Sequence, residues 1–332
     1  MVRLSQLVLL VTDACPWGCS YCYLDCQVHG SYMSRDVALA AIEMFDPAPE
    51  GMVIQLSGGE PMLARELVWE IAERASARAG VRVAIQSSGY SLGMKELVRL
   101  KELGVGIGIS LDGMPSMNDR ARARGAGDVA LRALALASKA GVVVSVTSVL
   151  TRTTLPGVVE LVAMCGGMQS VGVLNLDLLR PVGRARVQML PEANELRLAM
   201  TRVAEAVEFI NSRRWPPLGV RELMRLRRAS PGPYCAPAAG KGLCVSPDGR
   251  LYPCPSLVGL GEFELGSVEQ PHLERLEELA EQWRWPRECE ECELLSACRG
   301  GCPVRRMVVA GDISRHCTLE CALYKGLARR AR

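Results

Sequence analysis

Apolar residues fall along this chain in short unbroken runs, separated by stretches where they return every three or four positions. The runs at residues 4–12, 52–56, 81–86, 105–111, 142–150 and 171–178 have strand length and are rich in Val, Ile and Leu. Between them the spacing predicts helices over residues 34–45, 64–79, 94–103, 128–140, 155–164 and 191–213, the last long and amphipathic. Ser34 supplies an N-cap for the first, with Val37, Ala41 and Met44 on its apolar side, and Gly104 stops the third. Continuous apolar strands alternating with helices are how buried parallel strands read. Right-handed crossovers would curl six such units into an α/β barrel or part-barrel, with function at the carboxyl ends of the strands.

The pattern changes near residue 214. Trp215-Pro216-Pro217 and Pro231-Gly232-Pro233 punctuate the chain, and nine of its fourteen cysteines lie beyond Pro233. The expected organisation is a barrel over 1–213, a linker over 214–232 and a cysteine-rich domain over 233–332. No internal repeat stands out in the barrel half. A length of 332 residues suits about two domains with a sizeable core. The net charge of +3 is interspersed, so nothing argues for a nucleic-acid partner, and Arg329-Arg330-Ala331-Arg332 reads as a solvated tail. Residues 1–11 run straight into a cysteine loop and are expected to be a strand, not a signal peptide. No apolar run reaches the roughly 18 residues of a spanning helix, so neither a membrane partner nor a compartment other than the cytoplasm is expected. Fourteen cysteines in that compartment point to metal or redox chemistry instead of disulfides.

The cysteines of Cys15-Pro16-Trp17-Gly18-Cys19-Ser20-Tyr21-Cys22 stand at C-x3-C-x2-C spacing on a loop after the first strand. Zinc sites commonly close with four ligands in two C-x2-C pairs. Three thiolates this close suit three corners of a cubane iron–sulfur cluster, with one iron left for a small molecule; the bland alternative is three buried thiols. With Tyr21 at the aromatic place, the loop resembles the signature of radical S-adenosylmethionine (SAM) enzymes. That resemblance implies a partial (β/α)6 TIM-like barrel, and a [4Fe–4S] cluster whose open iron chelates SAM. One electron then cleaves the sulfonium to methionine and a 5′-deoxyadenosyl radical.

Further motifs fall at strand ends. Ser57-Gly58-Gly59-Glu60-Pro61 resembles the family's Gly-Gly-Glu-Pro, which implies that Gly58, Gly59, Glu60 and Pro61 hold the methionyl amino group; a plain turn is the alternative. Ser87-Ser88-Gly89 stands where relatives often carry Thr-Asn-Gly, which leaves the roles there open. Ser110-Leu111-Asp112-Gly113 is similar to Ser-Leu-Asp-Gly, placing Ser110 and Asp112 near the ribose and substrate. Asp119 and Arg122 resemble a following D-x-x-R, with Arg122 expected near the cofactor carboxylate, for which a guanidinium fork is suited; a solvated helix-start arginine is the alternative. Tyr21 joins this cofactor set, and Ser145 and Thr147 are interior-facing candidates. Pro181-Val182-Gly183-Arg184-Ala185 resembles a P-x-G-R-A branch marker without assigned chemistry.

Beyond residue 233 the spacing Cys289-x2-Cys292-x5-Cys298-x3-Cys302, with Gly300-Gly301 before Cys302, resembles the SPASM domain of peptide- and protein-modifying radical SAM enzymes. The resemblance implies two auxiliary [4Fe–4S] clusters. The first would take Cys235, Cys254 and Cys302, with Cys244 as fourth ligand or the cluster left open. The second would take Cys289, Cys292, Cys298 and Cys321, with Cys317 the alternative to Cys321. Two zinc ribbons are the structural alternative. Cys26 and Cys165 read as buried thiols, and His29, His272 and His316 as structural.

The function so implied is a radical SAM oxidoreductase that crosslinks or oxidises a peptide or protein side chain, fed by an external donor such as ferredoxin or flavodoxin. No catalytic general base is assigned. Sulfatase maturases carry an aspartate after the cysteine of Tyr-Pro-Cys, whereas Tyr252-Pro253-Cys254 is followed here by Pro255, which argues against that branch. Only fourteen residues precede Cys15, so an N-terminal leader-binding domain is not expected. Maturation of a small cofactor such as haem or a quinone is the alternative. A non-catalytic electron carrier or a zinc-stabilised binding module is the contrasting class.

Overall fold

The apolar runs form strands and the periodic stretches form helices, as a computed structural model of the chain shows over residues 3–228 and 230–328. The Arg-rich end at Arg329–Arg332 lies outside the described residues. In chain order the strands that carry the architecture are β1 (Gln6–Thr12), β2 (Met52–Gly58), β3 (Val81–Ser87), β4 (Gly106–Ser110), β5 (Val144–Leu150), β6 (Val171–Leu178), β7 (Gly219–Val220), β8 (Gly242–Val245) and β9 (Leu251–Tyr252). The helices of the first two-thirds are α1 (Arg35–Glu43), α2 (Arg65–Ser76), α3 (Met94–Glu102), α4 (Pro115–Ala121), α5 (Ala126–Lys139), α6 (Val158–Gly167), α7 (Ala193–Asn211) and α8 (Arg221–Arg227). The tail adds α9 (Arg275–Gln282), α10 (Leu295–Cys298), α11 (Pro303–Val309) and α12 (Thr318–Ala328).

Two compact units divide the chain, and each takes a share of the tail. One comprises Met1–Gly18, Leu24–Gly108 and Cys235–Arg284; the other comprises Cys19–Tyr23, Ile109–Tyr234 and Trp285–Arg332. In the first, the strand order is β9-β8-β1-β2-β3. Pairings β1–β2 and β2–β3 are parallel, with Gln6 opposite Val53 and Met52 opposite Val81. Leu7, Leu9, Ile54 and Leu56 are fully buried, the packing that a continuous apolar run requires. Strand β8, from beyond the linker, lies parallel to β1 with Gly242 opposite Gln6, and β9 returns antiparallel to it. Ser34 caps α1 as expected, its Oγ accepting from the Val37 N–H at 3.2 Å.

In the second unit, β5, β6 and β7 pair in parallel. Here burial alternates, with Val144, Val146, Leu174 and Leu176 inside and Ser145, Thr147, Asn175 and Asp177 half-buried on the other face. Helix α12 packs along α7, where a Cβ on Gly326 would sit 2.4 Å from the Arg197 carbonyl oxygen. Helix α4 was not anticipated. Its Asp119 carboxylate accepts from the N–H groups of Gly125 and Gly127 at 2.7 and 2.8 Å, which starts α5 two residues before the expected position. No helix among the described residues is long and apolar enough to cross a membrane.

Candidate active site

In the first unit, the loop after β2 is built onto the segment that leads to Cys15. The N–H groups of Gly59 and Glu60 donate to the carbonyls of Thr12 and Ala14 at 2.7 and 2.9 Å. Gly58 has φ +130°, and a Cβ there would stand 2.1 Å from the Thr12 oxygen; one on Gly59 would stand 2.0 Å from the Ala14 oxygen. Both glycines are therefore required by close backbone approach. Gly59→Ala is expected to destabilise the protein by about 1–3 kcal/mol in denaturant titration. Gly261→Ala, whose Cβ would meet nothing within 4 Å, serves as the control that should not move.

Glu60 is fully buried, and four donors occupy its carboxylate. Ser87 Oγ and the Met62 N–H reach Oε1 at 2.8 and 3.2 Å; the Ser88 N–H and Oγ reach Oε2 at 2.8 and 2.5 Å. Burial raises the Glu60 pKa, and these hydrogen bonds oppose the rise. Trp17 Nε1 in turn donates to Ser88 Oγ at 2.7 Å, and its ring meets Tyr90 edge-on. Ser87, the last residue of β3, and Ser88, whose roles the sequence left open, thus hold the Glu60 carboxylate.

In the second unit, three of the expected residues meet on one carboxylate. Tyr21 donates its hydroxyl to Asp112 Oδ2. Arg122 straddles the same group, with Nε 2.8 Å from Oδ2 and Nη2 3.1 Å from Oδ1. The Val149 N–H adds a bond at 2.8 Å. Asp112 is fully buried and the Arg122 side chain only 10% exposed, so the solvated-arginine alternative is excluded. Burial pushes the Cys19 thiol up, and the Arg122 charge pulls it back toward thiolate. Ser110 ends β4 half-buried. Thr147 accepts from Asn175 Nδ2 at 3.3 Å on the half-buried face of β5 and β6.

Gly183 and Arg184 were carried as a marker without chemistry. The structure gives them a role: the Arg184 N–H donates to the Cys22 carbonyl at 2.8 Å. Gly183, at φ +64°, lies so close that a Cβ would be 2.5 Å from the carbonyl oxygens of Cys22 and Tyr23. A glycine inside a loop motif was the available signal for that contact.

None of the fourteen cysteines, all of them among the described residues, is in a disulfide. In the first unit, Cys235 and Cys254 are half-buried, while Cys244 sits in an apolar cluster with Val8, Leu10 and Tyr252. Burial and then the neighbouring Cys254 push its pKa well up. In the second unit, burial raises Cys298, followed by Glu320, Cys321 and Cys289. Cys321 is pushed up to about 11 by burial, then by Cys289 and Cys292 among its neighbours. Cys289 is raised by burial and next by Cys292. Cys302 is buried, and Cys317, raised by burial and then by Glu320, is itself among the neighbours that raise Cys321. Cys26 and Cys165 are buried as expected. Near Tyr252, Glu264 is engaged by Arg250 at 2.8 Å and by the Tyr252 hydroxyl at 3.3 Å. Among the described residues no three Cys, His, Asp or Glu side chains are arranged to hold a single metal ion.

Residues 9–161, which span the Cys15–Cys22 loop, the Gly-Gly-Glu-Pro turn and β1 to β5, match the Radical SAM superfamily model. The chain carries a radical SAM superfamily domain over these residues. It is an enzyme of that class, whose members use a [4Fe–4S] cluster and SAM. The AdoMet-dependent heme synthase of Oleidesulfovibrio alaskensis is 25% identical over 339 aligned positions, covering 91% of this chain and 83% of that protein. Among solved structures, native anSMEcpe with bound AdoMet and Cp18Cys peptide superposes with a TM-score of 0.78 at 20% identity, covering 98% of this chain and 96% of that one. SuiB of Streptococcus suis bound to precursor peptide SuiA gives 0.65 at 15% identity, covering 92% and 73%. These likenesses bear on the fold, which is the expected α/β partial (β/α)6 barrel with a cysteine-rich C-terminal region.

The residues present fit a cluster and SAM. The loop offers three thiols outside any disulfide; burial raises the Cys19 pKa, and the Arg122 guanidinium opposes the rise. The glycine turn is packed against the segment that leads to Cys15, as the fold of that loop requires.

Proposed function

We propose that this radical SAM enzyme crosslinks or oxidises a side chain of a peptide or protein. Cys15, Cys19 and Cys22 would hold the cluster, which supplies one electron to cleave bound SAM to a 5′-deoxyadenosyl radical. Gly58, Gly59, Glu60 and Pro61 would hold the methionyl amino group of the cofactor. Ser110, Asp112, Arg122 and Tyr21 would also bind the cofactor. In the cysteine-rich part, 233–332, Cys235, Cys244, Cys254 and Cys302 would hold one auxiliary cluster and Cys289, Cys292, Cys298 and Cys321 another. Cys289 and Cys321 are among the neighbours that raise Cys298, and Cys289 and Cys292 among those that raise Cys321, which supports this reading of the second cluster. Cys321 is kept as last ligand, with Cys317 the alternative.

The peptide class is supported by the peptide-bound anSMEcpe and SuiB structures that share the fold. A second reading, maturation of a small cofactor such as haem, is supported by the heme synthase relative, matched along 91% of the chain. Ferredoxin or flavodoxin would deliver the electron.

After anaerobic reconstitution, dithionite and SAM are expected to yield 5′-deoxyadenosine; none forming would favour a mere electron carrier. The peptide fraction of an extract of the source organism is expected to stimulate formation at least tenfold, and protease digestion to abolish the stimulation. Stimulation only by the protease-resistant fraction of small molecules would establish the second reading.

A further inference from the structure

One arginine in the tail has more hydrogen-bonding partners than packing requires. Arg305, on α11, is 1% exposed. Its Nε donates to Glu320 Oε1 at 2.6 Å, and Nη2 meets the same carboxylate. Nη1 donates to the Leu178 carbonyl at 2.6 Å and Nη2 to the Tyr234 hydroxyl at 2.8 Å. Asp177, at the carboxyl end of β6, stands 3.4 Å from Nη1. Glu320, 2% exposed, lies one residue before Cys321 and accepts the Cys302 N–H at 3.1 Å through the oxygen that also meets Arg305. Gly301, at φ +77°, lets the backbone pass so closely that a Cβ would be 2.9 Å from Glu320 Cγ.

A buried ion pair of this kind is weak evidence for stability, since apolar side chains of similar volume often do as well. The Glu320 and Asp177 carboxylates flank the Arg305 guanidinium, which stays cationic at any ordinary pH. Fixed charges and hydrogen bonds beside a cluster are what set its reduction potential, and groups behind the ligands fix their orientation.

We propose that Arg305 and Glu320 are positioning residues for the auxiliary cluster that Cys302 would ligate: Glu320 fixes the Cys302 backbone, and the paired charges set that cluster's potential. The inference rests on the assignment of Cys302 as a ligand. Removing the cation then makes reduction harder, and removing the anion makes it easier.

The test uses the full chain with Cys15, Cys19 and Cys22 replaced by alanine, so that the auxiliary clusters titrate alone. Arg305→Gln and Glu320→Gln are each introduced, iron is counted, and the reduction of the clusters is followed by electron paramagnetic resonance against applied potential. The Arg305→Gln variant is expected to move one transition to more negative potential, and Glu320→Gln to move it to more positive potential. Each change is about tenfold in the reduced-to-oxidised ratio, about 59 mV for a one-electron couple. Loss of one cluster's iron in Arg305→Gln with retention in Arg305→Lys also supports the proposal. Unmoved transitions in both variants, or shifts of the same sign, overturn it. Should Arg305→Gln fail to fold, Glu320→Gln decides alone, because it keeps an acceptor for the Cys302 N–H. A parent without auxiliary iron overturns the assignment of Cys302, and this inference with it; a parent with iron but immobile transitions overturns this inference only.

Discussion

Replacing Cys15, Cys19 and Cys22 together by alanine is expected to lower the iron content from about 12 to about 8 atoms per chain and to abolish 5′-deoxyadenosine formation. The numbers follow from three four-iron clusters, of which the loop would hold one. Acid-labile sulfide should fall in step. The substitution removes ligands and no core packing on the scale of a strand, and the loop's anchors are elsewhere. Tyr21 stays bonded to Asp112, and the Cys22 carbonyl, which accepts from Arg184, is backbone. Denaturant unfolding should therefore still be cooperative. About 4 iron in the parent falling to none, with zinc in the remainder, would make the tail a zinc-stabilised module and end the two-cluster assignment there.

The barrel half was legible because its strands are long apolar runs that can be buried only one way. Residues 171–178 form β6 as expected. Ser34 announced α1 because a side-chain oxygen before an apolar period has one use, to accept a helical N–H. What stayed hidden was short or distant. Helix α4 has seven residues and shows no full apolar period. Its Asp119, picked out as part of D-x-x-R, instead ties down the backbone N–H groups that head α5. Strand β8 has four residues in a cysteine-rich context, and its partner β1 lies at the other end of the chain. The site motifs were each visible, but not their joints. Tyr21 and Asp112 are 91 positions apart, Ser88 and Glu60 28, and only the fold supplies those hydrogen bonds.

The joint at Asp112 yields the second large effect. Asp112→Asn keeps the shape of the side chain and removes its charge. Arg122, 10% exposed and held bidentately, would be left as a buried cation facing a neutral amide. Breaking a buried pair by removing one partner costs about 3–5 kcal/mol, because the surviving charge is uncompensated. The variant also replaces the charged acceptor of the Tyr21 hydroxyl, so the ring beside the cluster ligands loses its anchor. A displacement of about 1 Å at a reacting centre costs on the order of 10²-fold in rate. Asp112→Asn is accordingly expected to lose about 3–5 kcal/mol in chemical unfolding and about 10²-fold in 5′-deoxyadenosine formation while keeping its iron. Asp112→Asn with Arg122→Met should recover most of the stability, since the orphaned charge is gone, but not the rate, since Tyr21 remains without its carboxylate and the proposed cofactor-binding guanidinium is gone as well. Recovery of both would mean that Asp112 acts only by neutralising Arg122. A single variant within about 0.5 kcal/mol of the parent would place the carboxylate among ordinary surface positions, against the geometry in which Tyr21, Arg122 and the Val149 N–H all converge on it.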